Sequence, residues 1–304
     1  EVIFTSGGTE ADNLGVLGMG HGGHVVTTTF EHPAVLEAAK QIADVTFVAP
    51  DSNGLIDPLD IQRAIRPNTR LVSVMHANNE LGTIQPIEEI GQIAHEHGIA
   101  FHSDGIQAVG KVPVNYCPDL YAISAHKFYG PKGSGALIVR KGMEIEARQF
   151  GGRHQRRIRP GTENVAGAVG LAAALKYCQP TSDASLRDLL ETLVLRDIAD
   201  AHVNGVNAPR VPNTSNLRFD GIDSEPLLIA LDMRGFAISA GSACSSGASE
   251  PSHVLTAIGL SKEQARSSIR ISLGKSNTRE QVEGLAGALA ECVAHLRKVA
   301  PAYV

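Results

Sequence analysis

Ser124, His126 and Lys127 stand together after an apolar run and just ahead of the turn Gly130-Pro-Lys-Gly-Ser-Gly135. A lysine amine attacks a carbonyl only once it sheds its proton, which burial or neighbouring cations favour, and a serine hydroxyl and an imidazole beside it can bond an anion such as a phosphate. Thr5-Ser-Gly-Gly-Thr-Glu10, with Gly8 and Thr9, is a small-residue turn that opens a helix. The free N–H groups there and the Thr9 hydroxyl can also hold a phosphate. His102-Ser-Asp-Gly-Ile-Gln107 places Asp104 at the end of another apolar run. A buried carboxylate there needs a cation, and a protonated pyridine nitrogen is one; Gln107, and Asn79 of Asn78-Asn-Glu80, can bond ring substituents. Phosphate cup, carboxylate and Schiff-base lysine are the parts that hold pyridoxal phosphate and keep it electrophilic.

These clusters must be carried on strand ends. Leu120, Ala122 and Ser124 alternate with Tyr121, Ile123 and Ala125, which reads as a strand ending at Lys127. Apolar runs at 2–5, 25–29, 71–76 and 99–102 alternate with helical patterns from about 9, at 33–40 and at 86–97. That order predicts an α/β fold, a mainly parallel sheet flanked by helices, over a large domain at 1–180. Ligands of such sheets collect at the carboxyl ends of the strands. From 181 to 304 the pattern predicts a smaller α+β domain, with a helix at 186–199, strands at 215–219 and 268–272, and a last helix at 278–296 striped by Val282, Leu285, Leu289 and Val293.

The chain has 304 residues, 43% hydrophobic and 19% charged, which is ordinary globular material. A net charge of -5 gives no general attraction to nucleic acid or anionic membrane, so no direct nucleic-acid binding is expected. No apolar run has the length of a membrane span and no secretion signal opens the chain, so the expected location is the cytoplasm. Four cysteines without a C-x-x-C pair argue against a zinc knuckle or a disulfide framework. Gly18-Met-Gly-His-Gly-Gly23 spells a dinucleotide fingerprint but follows a helix and precedes a strand, the reverse of the required context, and reads as a flexible connection. His95 and His97 point to different helix faces, so no metal site is expected. The opening Glu1-Val-Ile-Phe-Thr5 has the character of an interior strand and suggests a fragment.

Thr5-Ser-Gly-Gly-Thr-Glu10, Glu31-His32, Asn78-Asn-Glu80, His102-Ser-Asp-Gly-Ile-Gln107, Ser124-Ala-His-Lys127, Arg159-Pro-Gly-Thr-Glu-Asn164, Gly241-Ser-Ala-Cys-Ser245 and Ser268-Ile-Arg-Ile-Ser-Leu-Gly274 occur in that order along the chain. Together they resemble the class V, fold-type I pyridoxal-phosphate enzymes, specifically the NifS/IscS-type cysteine desulfurases. The resemblance implies that Lys127 forms the Schiff base and shuttles the Cα proton of L-cysteine, and that Asp104 pairs with the pyridine nitrogen. It further implies that Gln107 and Asn79 bond the ring-oxygen side, that His32 stacks on the ring, and that Gly8, Thr9, Ser124 and His126 hold the phosphate. The same resemblance implies that Thr162 reaches that phosphate from the partner in a homodimer, that Arg270 clamps the substrate carboxylate, and that Cys244 takes the sulfur as a persulfide for an acceptor protein, as in iron–sulfur cluster assembly. His32 is the candidate for the thiol's proton.

Two of these roles also have support from the residues. Cys244 lies in a run of small residues at 239–249 with almost no apolar anchor, which reads as a mobile loop. Arg270 alternates with Ile269 and Ile271, so it faces away from the core. The chain departs from the family pattern at Ala125, Gly105, Arg153, Gln155 and Pro160, and lacks the family's N-terminal segment. The basic stretch at 151–160 is expected on the cofactor side, the alternative being an acidic or nucleic-acid partner. A selenocysteine lyase or another C–S lyase would share the cofactor residues, and an inactive dimerisation or sulfur-transfer scaffold would fit the missing segment.

Overall fold

The computed structural model describes residues 1–181, 183–241 and 251–299. The chain divides into two compact units, the first made of 1–51, 55–78 and 84–181, the second of 52–54, 79–83 and 182–304.

In the first unit β1 (Val2–Thr5) leads to α1 (Gly8–Gly20), β2 (His24–Thr28) to α2 (Pro33–Ala39), β3 (Asp44–Val48) to α3 (Pro58–Ala64), and β4 (Thr69–Ser73) to α4 (Ile87–Glu96). β5 (Ala100–Asp104), β6 (Leu120–Ser124), β7 (Gly135–Val139) and α5 (Val165–Tyr177) follow. The sheet order is β1-β7-β6-β5-β4-β2-β3. β6, β5, β4, β2 and β3 run parallel, while β7 is antiparallel to both neighbours. Leu120 and Ala122 of β6 pack with Leu14 of α1 on one face; Tyr121 and Ile123 pack with Phe128 and with Leu171 of α5 on the other. A strand buried on both faces reads as a near-continuous apolar run.

The connection expected at 18–23 is partly helix. Gly18 and Gly20 belong to α1, where a Cβ would lie 2.8 Å from the Glu146 carbonyl oxygen and 2.6 Å from Val25 Cγ2 respectively. These glycines serve close packing, and only the turn before His24 remains a connection. No helix among the described residues is long and apolar enough to cross a membrane.

The second unit contains α6 (Ser185–Asp197), β8 (Ala201–Val203), β9 (Thr214–Phe219), α7 (Ser224–Asp232), α8 (His253–Ala257), α9 (Lys262–Arg266), β10 (Ser268–Ser272) and α10 (Arg279–Val299). Its sheet, β10-β9-β8, is antiparallel. Val282, Leu285, Leu289 and Val293 of α10 are buried with Leu190 and Val194 of α6 and with Leu217, Phe219, Ile269 and Ile271 of the sheet. The 3.6-residue stripe read from the sequence is the core-facing side of that helix.

Candidate active site

The first unit's polar clusters meet at one end of its sheet. Thr5, the last residue of β1, and Ser124, the last of β6, are both register partners of Gly135. A Cβ on Gly135 would lie 2.7 Å from Gly7 Cα, and one on Gly8 would lie 2.0 Å from Ile106 Cδ1 and 3.5 Å from Ser124 Cβ. The start of α1 is therefore pressed onto the ends of β5 and β6, and glycine is what permits it. Gly7 caps α1 with no side-chain hydrogen bond, leaving the first-turn N–H groups for an anion. Ser124 Oγ and His126 Nδ1 lie 3.0 Å apart, within the 3₁₀ turn that β6 opens and that Tyr129 closes in the left-handed region. His126 and Lys127 are exposed. Partial desolvation of the otherwise exposed ring, then the charges of Lys127 and Lys132, hold the His126 imidazolium pKa down, which favours the neutral ring.

Asp104 ends β5 and is buried. Its Oδ1 accepts from the Ile106 N–H at 2.8 Å. Burial pushes its pKa up to about 6, against that hydrogen bond and the charges of Lys111 and Lys127. Lys127 is thus within electrostatic reach of Asp104. Lys111 donates to Gln107 Oε1, so the Gln107 side chain is held through its carbonyl. Lys111 is not among the residues expected from the sequence, although its spacing from Gln107 is that of facing residues on a helical turn.

A further polar cluster, not expected from the sequence, lies beside Asp104. Side chains two apart on a strand share a face, so His102 points the same way as Asp104. A Cβ on Gly15 would lie 2.7 Å from the His102 ring, and Asp12 Oδ1 is 3.6 Å from His102 Nε2, both residues being fully buried. Asp12 thus faces β5, between Gly8 against Ile106 and Gly15 against His102. A signal existed: Asp12 falls on the helical repeat Gly8, Asp12, Gly15, Met19, all four of them buried. Burial, then the charges of Asp104 and Glu31, push the Asp12 pKa well up. Glu31 accepts from the Met75 N–H and the Thr28 hydroxyl, yet burial raises it to about 8. At neutral pH Glu31 therefore holds its proton and Asp104 is the carboxyl that ionises, while Asp12 is shifted toward its neutral form.

This arrangement has a consequence for stability. With a folded pKa of about 8 above an unfolded value of roughly 4.3, Glu31 contributes stability fully below the unfolded value and loses it as pH rises through the folded one. Relative to Glu31→Gln, the wild type should therefore lose on the order of 1 kcal/mol per pH unit between about pH 5 and 8. Denaturant midpoints of both proteins across that range measure it, and parallel profiles would contradict the burial of an ionisable Glu31.

His32 caps α2, its Nδ1 accepting the Ala34 N–H at 3.1 Å. The neutral ring consequently carries its hydrogen on Nε2, an assignment that follows from the hydrogen bond. Thr162 is exposed, in the segment before α5. That segment is tied to the cup: Arg159 Nε meets Glu10 Oε1 at 2.7 Å, and the Gln155 amide both accepts from the Phe4 N–H at 2.6 Å and donates to the Phe4 carbonyl at 2.8 Å. A glutamate at 155 could not supply both bonds.

Asn79 and Arg270 belong to the second unit, where Arg270 Nη1 donates to the Asn79 carbonyl at 3.0 Å and Nη2 to Ser239 Oγ at 3.4 Å. Ile269 and Ile271 are buried on either side of Arg270, as the alternation implied. Among the described residues Asn79 Oδ1 is buried without a hydrogen-bond partner, an acceptor open to a ligand's donor. Cys244 lies outside the described residues.

The family model for "Aminotransferase class-V" matches residues 1–285. The chain is 42% identical to "Cysteine desulfurase IscS" of Dictyoglomus turgidum, over 99% of this chain and 81% of that protein. It is 43% identical to "Cysteine desulfurase IscS" of Methanosarcina thermophila, over 99% and 79%. Among solved structures it resembles the NifS-like protein from Rickettsia africae, with a TM-score of 0.86 and 30% identity over 97% of this chain and 82% of that one.

Proposed function

The chain belongs to the class-V aminotransferase family, among its pyridoxal-phosphate-dependent cysteine desulfurases, and we propose that it converts L-cysteine to L-alanine with Cys244 taking the sulfur as a persulfide. The observation that best supports the site is the meeting of Asp104, Lys127 and the Gly8–Thr9 turn at one end of one sheet.

The residues fit the cofactor. The α1 turn has glycine where a Cβ would collide, so its backbone can meet a phosphate, and buried Asp104 suits a protonated ring nitrogen. Bound pyridoxal phosphate supplies an electron sink that labilises the Cα–H and C–S bonds of an amino acid. Lys127 holds it through Nζ and, once released, moves the Cα proton. Gly8, Thr9, Ser124 and His126 bind the phosphate, Gln107 and Asn79 the ring-oxygen side, and His32 lies against the ring. Arg270 grips the substrate carboxylate with its planar fork. The Cys244 thiolate attacks the substrate sulfur: an S–S bond forms, the C–S pair stays with carbon, and a proton added there completes L-alanine. An unperturbed thiol of pKa ~8.5 is mostly protonated at neutral pH, so a base is required. The lone pair with which His32 would take that proton is the one on Nδ1 that accepts the Ala34 N–H, so acting as the base costs His32 its cap on α2.

Residues 1–180 are assigned to the cofactor and 181–304 to the domain carrying Cys244. A homodimer, in which Thr162 reaches the phosphate of the partner's site, a sulfur-acceptor protein and a cytoplasmic setting complete the reading. Iron–sulfur cluster assembly is the proposed destination of the sulfur, in a chain similar to proteins named cysteine desulfurase IscS.

His32→Asn separates the two roles of His32. Asparagine is a strong N-cap residue, so thermal stability should hold while sulfide formation falls; His32→Ala should lose both, the cap costing about 1 kcal/mol. Unchanged turnover in His32→Asn would remove the ring from the mechanism. The reading itself is tested by supplying pyridoxal phosphate, L-cysteine and a thiol reductant to wild type and Cys244→Ala. Sulfide and alanine from the wild type alone are expected, and equal sulfide from both would sink the persulfide assignment. L-selenocysteine turnover that survives Cys244→Ala would identify a lyase.

A further inference from the structure

Glu80 stands in the Asn78-Asn-Glu80 motif but has no place in the chemistry above. It is fully buried in the second unit. Its Oε2 accepts the Ser252 hydroxyl at 2.5 Å, while Ser252 Oγ caps α8 by accepting the Leu255 N–H at 3.3 Å. The one hydroxyl proton goes to Glu80 and the lone pair to the helix, so both bonds form together. Gly241 stands against the same pair: a Cβ there would lie 3.4 Å from Glu80 Oε2 and 3.3 Å from Ser252 Cβ. Its φ of 46° lies in the left-handed region that glycine adopts without a steric penalty. Just before it, Ser239 bridges Arg270, exchanging backbone bonds of 3.1 and 2.6 Å.

Burial pushes the Glu80 pKa up, against the Ser252 hydrogen bond and the charges of His253 and Arg270. Its backbone is held too, the Glu80 carbonyl accepting from Asn216 Nδ2 at 3.3 Å and the preceding Asn79 carbonyl accepting from Arg270. A buried polar group fixed on this many sides is a rigid anchor.

We propose that Glu80 is a positioning residue for the sulfur-accepting thiol: its carboxylate joins Gly241 and Ser252, which flank the segment bearing Cys244, and so fixes where that segment leaves and rejoins the second unit. The inference rests on the assignment of Cys244 as the acceptor. A reacting group displaced by about 1 Å can lose on the order of 10²-fold in rate, so the anchor should act on the sulfur-transfer step and not on cofactor binding.

The experiment is a single-turnover measurement of persulfide on Cys244, by thiol alkylation and mass spectrometry of the cofactor-loaded protein, with the cofactor's visible absorbance recorded alongside. Glu80→Ala should slow persulfide formation by about 10- to 100-fold with the absorbance retained. Glu80→Gln, which can still accept from Ser252, should recover most of the rate. Ser252→Ala should be slow as well, and adding it to Glu80→Ala should cost little more, because both remove the same bond. Wild-type rates in Glu80→Ala, or additive losses in the double variant, would overturn the proposal. Should Glu80→Ala fail to fold, Ser252→Ala and Gly241→Ala read the same junction: slowed persulfide with intact absorbance supports it, and wild-type rates in both overturn it. Cys244→Ser reports separately on the underlying assignment, since sulfide at the wild-type rate from that variant would dismiss Cys244 whatever Glu80 does.

Discussion

Lys127→Ala is expected to abolish the cofactor's yellow absorbance on the protein and to lower sulfide release from L-cysteine by about 10²–10⁴-fold, the range a positioned proton-transferring group contributes. Lys127 follows Ser124 and His126 in the turn that closes β6, and its charge reaches Asp104. An amine so placed can both hold a carbonyl-bearing cofactor and return a proton to a carbon nearby. Lys127→Arg keeps a cation beside Asp104 but supplies no nucleophile at any accessible pH, since guanidinium stays protonated. It should therefore retain folding and lose the absorbance. Sulfide at the wild-type rate from either variant would remove Lys127 from the chemistry.

Asp104→Asn should give the second-largest loss, about 10²–10³-fold in turnover, the scale measured for one preorganised electrostatic group. Asparagine keeps an oxygen for the Ile106 N–H but no charge to hold a ring proton. Stability should move the other way. Asp104, with a folded pKa of about 6, contributes stability that is complete below its unfolded value near 3.9 and lost as pH rises through 6. In cofactor-free protein above pH 6, Asp104→Asn should thus be the more stable, by on the order of 1 kcal/mol. Denaturation of the cofactor-free proteins tests this; a less stable Asp104→Asn at pH 8 would mean that the carboxylate already has a charge partner in the empty site.

The parts of this site that were legible in the sequence are those where an apolar run stops at a polar residue. Asp104, Ser124 and Thr5 end their strands; Ser124 closes a run buried on both faces and apolar up to that point, while short apolar runs at 2–4 and 99–101 mark the strands that Thr5 and Asp104 end. Arg270 was readable from alternation instead, its buried isoleucine neighbours marking the core face of the strand and so placing Arg270 on the other. β3 and α3 were not. α3 buries only Ile61 and shows no apolar stripe, and β3, although Val45, Phe47 and Val48 are apolar, is a half-buried edge strand that ends at no polar cluster of the site. Asp12 shares a helical face with Gly8 and Gly15, but only the packing shows that β5 covers that face. Glu80 was visible within a motif, yet its partners Gly241 and Ser252 are remote in sequence and carry no periodic signal. Contacts of that kind arise from tertiary packing and not from local pattern.

The central claim is that sulfur leaves L-cysteine for Cys244. It is tested most directly by mixing the cofactor-loaded protein with L-cysteine in the absence of reductant, trapping thiols, and weighing the Cys244 peptide while counting alanine. The account predicts a peptide heavier by one sulfur atom, formed in step with an equal amount of L-alanine. Alanine and free sulfide appearing while that peptide keeps its original mass would contradict it.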